Sequence, residues 1–552
     1  MTHSAVLAMV GSHDQREEAM TGVTRTRIQK NRRARPARFA RAAAALLLLL
    51  LLGAAQASAA TLKVCQSGCP YTQLAPALAG AQSGDTIKLG PGTYAGGVTI
   101  DVSVKVVGAG PGATVISGGG PVLSIGVAGA ASAPTVTIDG VTVTGGVAIG
   151  NLAPESGRGG GIYIPRAAGP STGATVTIRD SVIRGNRTAP ATAIESDDPC
   201  CPFADSGGGG ISNDGTLTLD HTRVSDNQAD AASGLASNAV GGGILNRAFG
   251  TLTLKHSVVT DNHAAVSAPN GRFTSGGGIE MVGGSLTIDD SRVSDNSADA
   301  SLTVPSDVDQ SATGGGIHVQ ENASATARRT TITGNSINST NTVGNASAFS
   351  GGLHANGPIV LRDSTVSNNS VAATTATGFT DADSGAGEMN ADSTISNTRF
   401  SGNSVTATSS AGVAHAAAGA IVTAAFERMT ISDSVISANR LTATTTTGSS
   451  TVNGGGVANI GVLTLRNTSL SDNTGVANGP SGSARGGGIF NGSVPDGPPR
   501  TQLALINSVV THNTLTASPG ITAQGGGLFT LFPVTLTNSV IAHNVPDQCS
   551  GC

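Results

Sequence analysis

LTLDHTRVSDN, residues 217–227, recurs along the chain with fixed internal spacing while the residues between its copies vary. Two polar landmarks define the unit. The first, an Asp, Asn or His that ends an apolar run, falls at Asp180, His221, His256, Asp290, Asp363, Asn397, Asp433, Asn467, Asn507 and Asn538, with Arg329 as the exception. The second lies six positions later and is Asn in all eleven copies: Asn186, Asn227, Asn262, Asn296, Asn335, Asn369, Asn403, Asn439, Asn473, Asn513 and Asn544. A Ser or Thr follows each first landmark, as at Ser181, Thr222 and Ser257, and an apolar residue stands two positions further on, as at Val224 and Val259.

Before the first landmark, positions two and four residues earlier are apolar, as in Leu217 and Leu219, Leu252 and Leu254, or Leu463 and Leu465. That period of two is the pattern of a strand with one buried face. The strand ends in a residue type that hydrogen-bonds its own backbone, and the Asn beyond it is expected to supply the left-handed conformation of a sharp turn. A Gly-rich start precedes each strand. GGGI ends at Ile162, Ile211, Ile244, Ile279, Ile317 and Ile489, GGGV at Val457 and GGGL at Leu528, and degenerate copies end at Leu353, Glu388 and Ile421. Successive starts lie 32 to 39 residues apart, apart from a first interval of 49. This exceeds one bare coil of a β-solenoid, so each repeat reads as one coil carrying an Ala/Ser/Thr/Asp-rich loop such as Ala229 to Val240. Repeats of this period with β rather than helical signals indicate an all-β, single-stranded parallel β-helix whose coils bury their apolar faces on one another. The density of Gly, Thr, Val and Asn disfavours helical repeats. Stacking the coils would line the eleven Asn residues into a structural ladder.

Composition points the same way: 77 of 552 residues are Gly, 12% are charged, 3% are aromatic and none is Trp, a profile closer to a repeat array than to an ordinary enzyme domain. A net charge of −4 over this length gives no support to a nucleic-acid partner. Basic residues cluster between Arg25 and Arg41, ahead of the apolar run AAAALLLLLLLGAA (42–55) and the small-residue stretch QASAA (56–60). Residues 1–60 therefore read as a secretory signal peptide, its apolar run too short for a membrane span. Residues 61–150 then read as a cap with the first coils and 151–552 as eleven repeated coils, secreted or held at the cell surface, with no transmembrane span in the mature chain. Export fits the cysteines, since Cys65 with Cys69 and Cys549 with Cys552 read as local disulfides near the two ends, where coils fray. The pairing of Cys200 and Cys201 stays open. Tyr71 to Gln82, with Leu74, Leu78 and Ala81 on one face, predicts a short capping helix started by Thr72 and laid over the open edge of the first coil.

The order of that helix, GDTIKLGPGTY (84–94), GGVTI (96–100) and VKVVGAGPGATVI (104–116) resembles the N-terminal cap and first coils of secreted right-handed parallel β-helix proteins of the pectin-lyase-like type. The later repeats resemble the same class and also polymorphic outer membrane protein repeats, whose GGA-Ile/Leu/Val and FxxN signatures correspond to Ala418-Gly419-Ala420-Ile421 and Phe400-Ser401-Gly402-Asn403. The resemblance spans residues 62–552 and implies a right-handed β-helix. It leaves function open, because that class includes polysaccharide lyases and hydrolases as well as proteins without catalysis.

Under the resemblance, Leu219-Asp220-His221-Thr222 is similar to the Asp-His strand ending of pectate lyases, where such an Asp binds the calcium that acidifies a uronate. His256 fills the slot of His221 one coil later and Asp or Asn fills most of the others, which is how a structural slot behaves. Asp289-Asp290 is a carboxylate pair of the kind glycoside hydrolases use as acid and base, but no Gly-His-Gly accompanies it. With only Tyr71, Tyr94 and Tyr163 and no Trp, sugar-stacking platforms are scarce. The expectation is an exported structural or surface-interaction, adhesin-like β-helix that needs no cofactor, with polysaccharide or cell-surface components as partners. The alternative is a polysaccharide lyase or hydrolase using Asp220, His221, Asp289 and Asp290. One further row precedes the Asn on three successive coils: Asp226, Asp261 and Asp295. Stacked roughly 5 Å apart, these carboxylates either fan into solvent as turn formers or hold a hard cation such as calcium.

Overall fold

The computed structural model describes residues 59–552 apart from 150–157, 169–172, 190–203, 232–236, 248, 268–272, 303–307 and 493–500. The expected signal peptide and the Cys200-Cys201 pair lie outside the described residues. Five strands make one repeat. In the repeat opened by Ile211 they are Ile211–Asn213, Thr216–Asp220, Arg223–Ser225, Gln228–Ala231 and Ser237–Val240, and Ile244–Asn246 opens the next. Each strand pairs in parallel with its counterpart one repeat on, Leu217 beside Leu252 and Leu219 beside Leu254, giving an all-β parallel solenoid. Numbered by their order in the repeat, the sheets are I to V. Among the described residues, sheets I, II and III hold 14, 15 and 14 strands and enclose the main core, in which Ile211, Leu217, Leu219 and Val224 are fully buried. Each such side chain contributes about 1.5–3 kcal/mol by leaving water.

The Ala/Ser/Thr/Asp-rich segments, read from sequence as loops, are strands. They build sheets IV and V, whose 11 and 10 strands among the described residues start with Val147–Ile149 and Ala204–Gly207. In Ser404–Ser409 the buried members are Val405, Ala407 and Ser409, and the following strand Val413–Ala417 buries Ala414 and Ala416. A second core rich in Ala, with Val, Ile and Leu, fills the space between these two sheets. Each repeat is thus a three-strand coil with a two-strand flap stacked on the flaps of its neighbours.

Left-handed residues turn the coil at three places. The first landmark is one, with φ of 49° at His221, 48° at His256 and 50° at Arg329. The residue before the ladder Asn is another, with φ of 56° at Asp226 and Asp261 and 68° at Gly334. The third opens the Gly-rich start, with φ of 64° at Gly241, 67° at Ser350 and 48° at Ala418. The sequence pattern places the second left-handed turn on the Asn itself; in the structure the Asn points inward, and its predecessor, often Asp or Gly, takes the unfavourable conformation. The last Gly of the start has a steric cause, since a Cβ on Gly243 would lie 2.6 Å from the Gly278 carbonyl oxygen and 2.9 Å from Cγ of Asn262. Register also corrects one repeat boundary. Leu353 pairs with Gly387 and His354 with Glu388, so Gly387 holds the inward apolar slot and Glu388 faces the other way.

Near the N-terminus, Leu74–Ala79 forms a helix that buries Leu74, Ala77 and Leu78 against the first strands. Its N-cap is Gln73 rather than Thr72, and no side chain caps it; Gln73 Oε1 instead accepts the Ala95 N–H at 3.3 Å. Cys65 is bonded to Cys69, and Cys549 to Cys552. Among the described residues no helix is long and apolar enough to cross a membrane.

Candidate functional site

The Asn column is a continuous hydrogen-bonded ladder at the turn from sheet III to sheet IV. The Nδ2 of Asn227 donates to Asn262 Oδ1 at 2.9 Å, Asn262 to Asn296 at 2.9 Å and Asn296 to Asn335 at 2.9 Å, and the same bond continues to Asn544. Each Oδ1 also accepts the backbone N–H of the preceding Asn, at 3.1 Å for Asn227 N to Asn262. At the far end Gln548 Oε1 takes the acceptor's place, receiving Asn544 N at 3.0 Å and Nδ2 at 3.2 Å. The sequence reading missed Gln548 because it lies outside the repeat spacing.

Asp220, His221, Asp289 and Asp290 come together on the exposed turn after sheet II, beside His256, Arg328 and Arg329. His221 Nδ1 and Asp220 Oδ1 are 2.9 Å apart, His256 Nδ1 stands 3.6 Å from the same oxygen, and the two imidazoles stack at 4.7 Å. Arg329 donates to both oxygens of Asp290, at 2.6 and 2.7 Å, and to Asp289 Oδ1 at 2.6 Å. This clamp holds the Asp290 carboxyl below its usual range, the Arg329 hydrogen bonds being the main cause. Cross-strand neighbours on the strand end alternate in sign, Arg179, Asp220, Lys255, Asp289 and Arg328, so in-register stacking sets attraction where identical residues would repel. These groups tie one coil to the next.

The Asp226, Asp261 and Asp295 row stands on the outer side of the turn before the ladder. Asp261 and Asp295 are half exposed and face arginines, Arg223 at 3.2 Å and Arg292 at 3.6 Å, rather than one another. Among the described residues the groups whose ligand atoms converge are Asp220-His221-His256 and Asp381-Asp383-His415, not this row.

A second concentration of ionisable groups lies in the angle where the outer face of sheet V meets the outer face of sheet I. The central residues of the sheet I strands form a column running Glu280, His318, His354, Glu388. Sheet V brings Phe273, Phe349, Asp381, Asp383 and His415 over it, with the Phe273 and His318 rings 6.4 Å apart and those of Phe349 and His354 6.5 Å apart. His318 Nδ1 and Glu280 Oε2 are 3.0 Å apart, and Gln320 Nε2 donates to Glu280 Oε1 at 2.7 Å. His354 Nδ1 lies 3.2 Å from Ser350 Oγ and 3.6 Å from Glu388 Oε2. Burial, reinforced by His318, lowers His354 to about 3, so its imidazole is neutral. Burial raises Glu388 to about 7, and burial with the Asp381 and Glu388 charges raises Asp383 well above the usual carboxylate range. Toward the C-terminal repeats the same angle turns apolar, with Val422, Ala458, Phe490 and Phe529 in the column.

None of these cleft residues was nominated from sequence. The available signal was the position one past the GGG-aliphatic start, where Glu280, His318 and His354 stand in three successive repeats. No protein-family model matches the chain, and no curated protein is similar to it.

Proposed function

We propose that this chain is an exported surface-interaction scaffold of the right-handed, pectin-lyase-like β-helix type, and that its partner is a repetitive polyhydroxylated polymer, a polysaccharide of the cell surface or its surroundings. The observation that carries the reading is a row of Thr hydroxyls on the outward face of sheet II: Thr137, Thr177, Thr218, Thr253, Thr287 and Thr326 are in-register neighbours on six consecutive strands. They alternate with buried aliphatics, as in Thr216–Asp220, so the hydroxyls stand outside while the aliphatics pack within. Such a row repeats at about 4.8 Å along the stack and presents a donor and an acceptor at each step. A regular polymer can meet a regular row at many points, each weak, with affinity built from their number. Of the candidate catalytic groups, Asp289 and Asp290 support the same reading, because Arg328 and Arg329 bind their carboxylates between coils.

Co-sedimentation with a panel of insoluble polysaccharides tests this. The parent protein is expected to pellet with at least one of them, and the double variant Thr218→Asp, Thr253→Lys, whose opposite charges are in-register neighbours, to stay in the supernatant with a melting temperature close to the parent's. Release of unsaturated or reducing-end products in the same incubations would overturn the proposal in favour of a lyase or hydrolase, as would equal pelleting of the variant.

A further inference from the structure

The cleft between sheets I and V contains an electrostatic arrangement that the folded chain does not resolve by itself. Asp383 and Glu388 are packed together with Asp381 nearby, yet Asp383 Oδ1 and Glu388 Oε2 are buried atoms without a hydrogen-bond partner. The Ala417 amide supports Asp383 and Asn390 supports Glu388, but the remaining oxygen of each stays unpaired, and burial disfavours the charged pair unless a proton or a cation neutralises it. His415 stands among them, its Nδ1 2.7 Å from Asp381 Oδ1 and 3.9 Å from Asp383 Oδ1. One ligand atom from each of Asp381, Asp383 and His415 lies within 4.8 Å of the others.

A third orphan lies directly behind the imidazole. Asn453 Nδ2 is 3.2 Å from His415 Nε2, while Asn453 Oδ1 is buried with no partner. In this arrangement Nε2 accepts from the amide and Nδ1 carries the proton toward Asp381. If Nδ1 instead gives its lone pair to a metal, the ring proton moves to Nε2. Turning the Asn453 amide over then sets Oδ1 where Nδ2 now stands, to accept that proton. Metal-bound imidazoles are commonly oriented in this way, by an acceptor on the ring nitrogen opposite the metal.

We propose that Asp381, Asp383 and His415 form a divalent-metal site of the zinc type, with Glu388 as the additional carboxylate facing it and Asn453 as the acceptor that orients the His415 ring. A single cation would occupy Asp383 Oδ1, offset the cluster of negative charge and give Asn453 Oδ1 its partner. An imidazole with two carboxylates suits zinc, whereas calcium takes six to eight oxygen ligands. The site spans adjacent repeats, since Asp381 is the in-register neighbour of His415, so binding would pin one flap to the next. The other converging group, Asp220-His221-His256, is half exposed and already paired with Arg179, and it leaves no buried orphan.

Equilibrium dialysis of the full chain against zinc chloride, without reductant so that the disulfides stay closed, tests the proposal with metal counted by mass spectrometry. One zinc per chain is expected in the parent and in His256→Ala. Asp383→Asn and His415→Ala should each bind at least about 100-fold more weakly. Cobalt in place of zinc should give a visible absorption spectrum in the parent that both variants lose. Asp383→Asn is nearly isosteric and keeps the test valid if His415→Ala misfolds. Sub-stoichiometric zinc in the parent, or zinc retained at parental affinity by Asp383→Asn, overturns the site, and tighter binding of calcium than of zinc overturns its assignment.

Discussion

Replacing Asn262 by Ala cuts the ladder at an interior rung, and the structure fixes what is lost. Asn262 is 1% exposed. Its Nδ2 donates to Asn296 Oδ1 at 2.9 Å, Val224 O at 3.0 Å and Thr260 O at 2.9 Å, and its Oδ1 accepts Asn227 N at 3.1 Å and Asn227 Nδ2 at 2.9 Å. Asn296 Oδ1 still receives the backbone N–H of residue 262 after the change, so it is not stranded. The Asn227 N–H and one Asn227 amide hydrogen are stranded, at about 1–3 kcal/mol each, for a total of about 2–6 kcal/mol. Ser267→Ala, at an exposed position just beyond the strand His263–Val266, should fall within about 0.5 kcal/mol of the parent. Asn262→Asp sharpens the test. It keeps an acceptor for Asn227 but sets carboxylate oxygens against Asn296 Oδ1 and the Val224 carbonyl, which disfavours the charged form and raises its pKa in the fold. Its stability should therefore be best at low pH and fall as pH rises from the unfolded carboxylate value through the folded one. Urea titrations followed by circular dichroism measure all three variants. Equal midpoints for Asn262→Ala and Ser267→Ala, or a pH-independent Asn262→Asp, would refute the ladder's energetic role.

Three further outcomes are expected. Glu388 is raised from 4.5 to about 7 in the fold, so the proton is held more tightly when folded; that stabilisation is complete below about 4.5 and lost as pH rises toward 7. In chelator, Glu388→Gln should remove that loss, gaining up to about 3 kcal/mol relative to the parent at pH 8 and little at pH 4.5, and parallel pH–melting curves for the two proteins would contradict it. Asp261→Asn breaks only a half-exposed pair with Arg223, so its melting temperature should match the parent within the about 1 kcal/mol of a surface ion pair, with calcium or without; a calcium-dependent difference would restore a cation to that row. Deleting Gly454–Arg485 removes one strand from every sheet and joins Asn453 to Gly486, which has φ of 70° where Gly454 has 80°; the shortened protein should fold and stay soluble, whereas deleting only Gly454–Ser471 should aggregate.

Most of the three-strand coil was legible in the sequence because its signals are physically sharp. Leu217 and Leu219 alternate with Thr in a strong hydrophobic contrast, and Asn at a fixed offset reflects an amide that must both donate and accept in one buried column. Sheets IV and V were not legible because their alternation runs in Ala, Ser and Thr: Ala407 between Thr406 and Thr408 fills a thin core, with little difference in hydropathy between the two faces. The cleft escaped for another reason. Its ligands come from two columns, Glu388 on sheet I and Asp381, Asp383 and His415 on sheet V, and their meeting depends on how the flap folds back over the coil, which no spacing within one repeat encodes.

The ladder also measures distance. Each rung joins Asn to Asn across one strand spacing, about 4.8 Å, so the ten steps from Asn186 to Asn544 cover about 48 Å whatever the length of the segments between them. A longer separation between rungs, such as 41 residues from Asn186 to Asn227 against 34 from Asn262 to Asn296, leaves that span untouched, while gain or loss of a whole repeat changes it by one increment. A chain built this way is a ruler graduated in coils: recombination between repeats resets the separation of its two ends in fixed steps and leaves its cross-section unaltered.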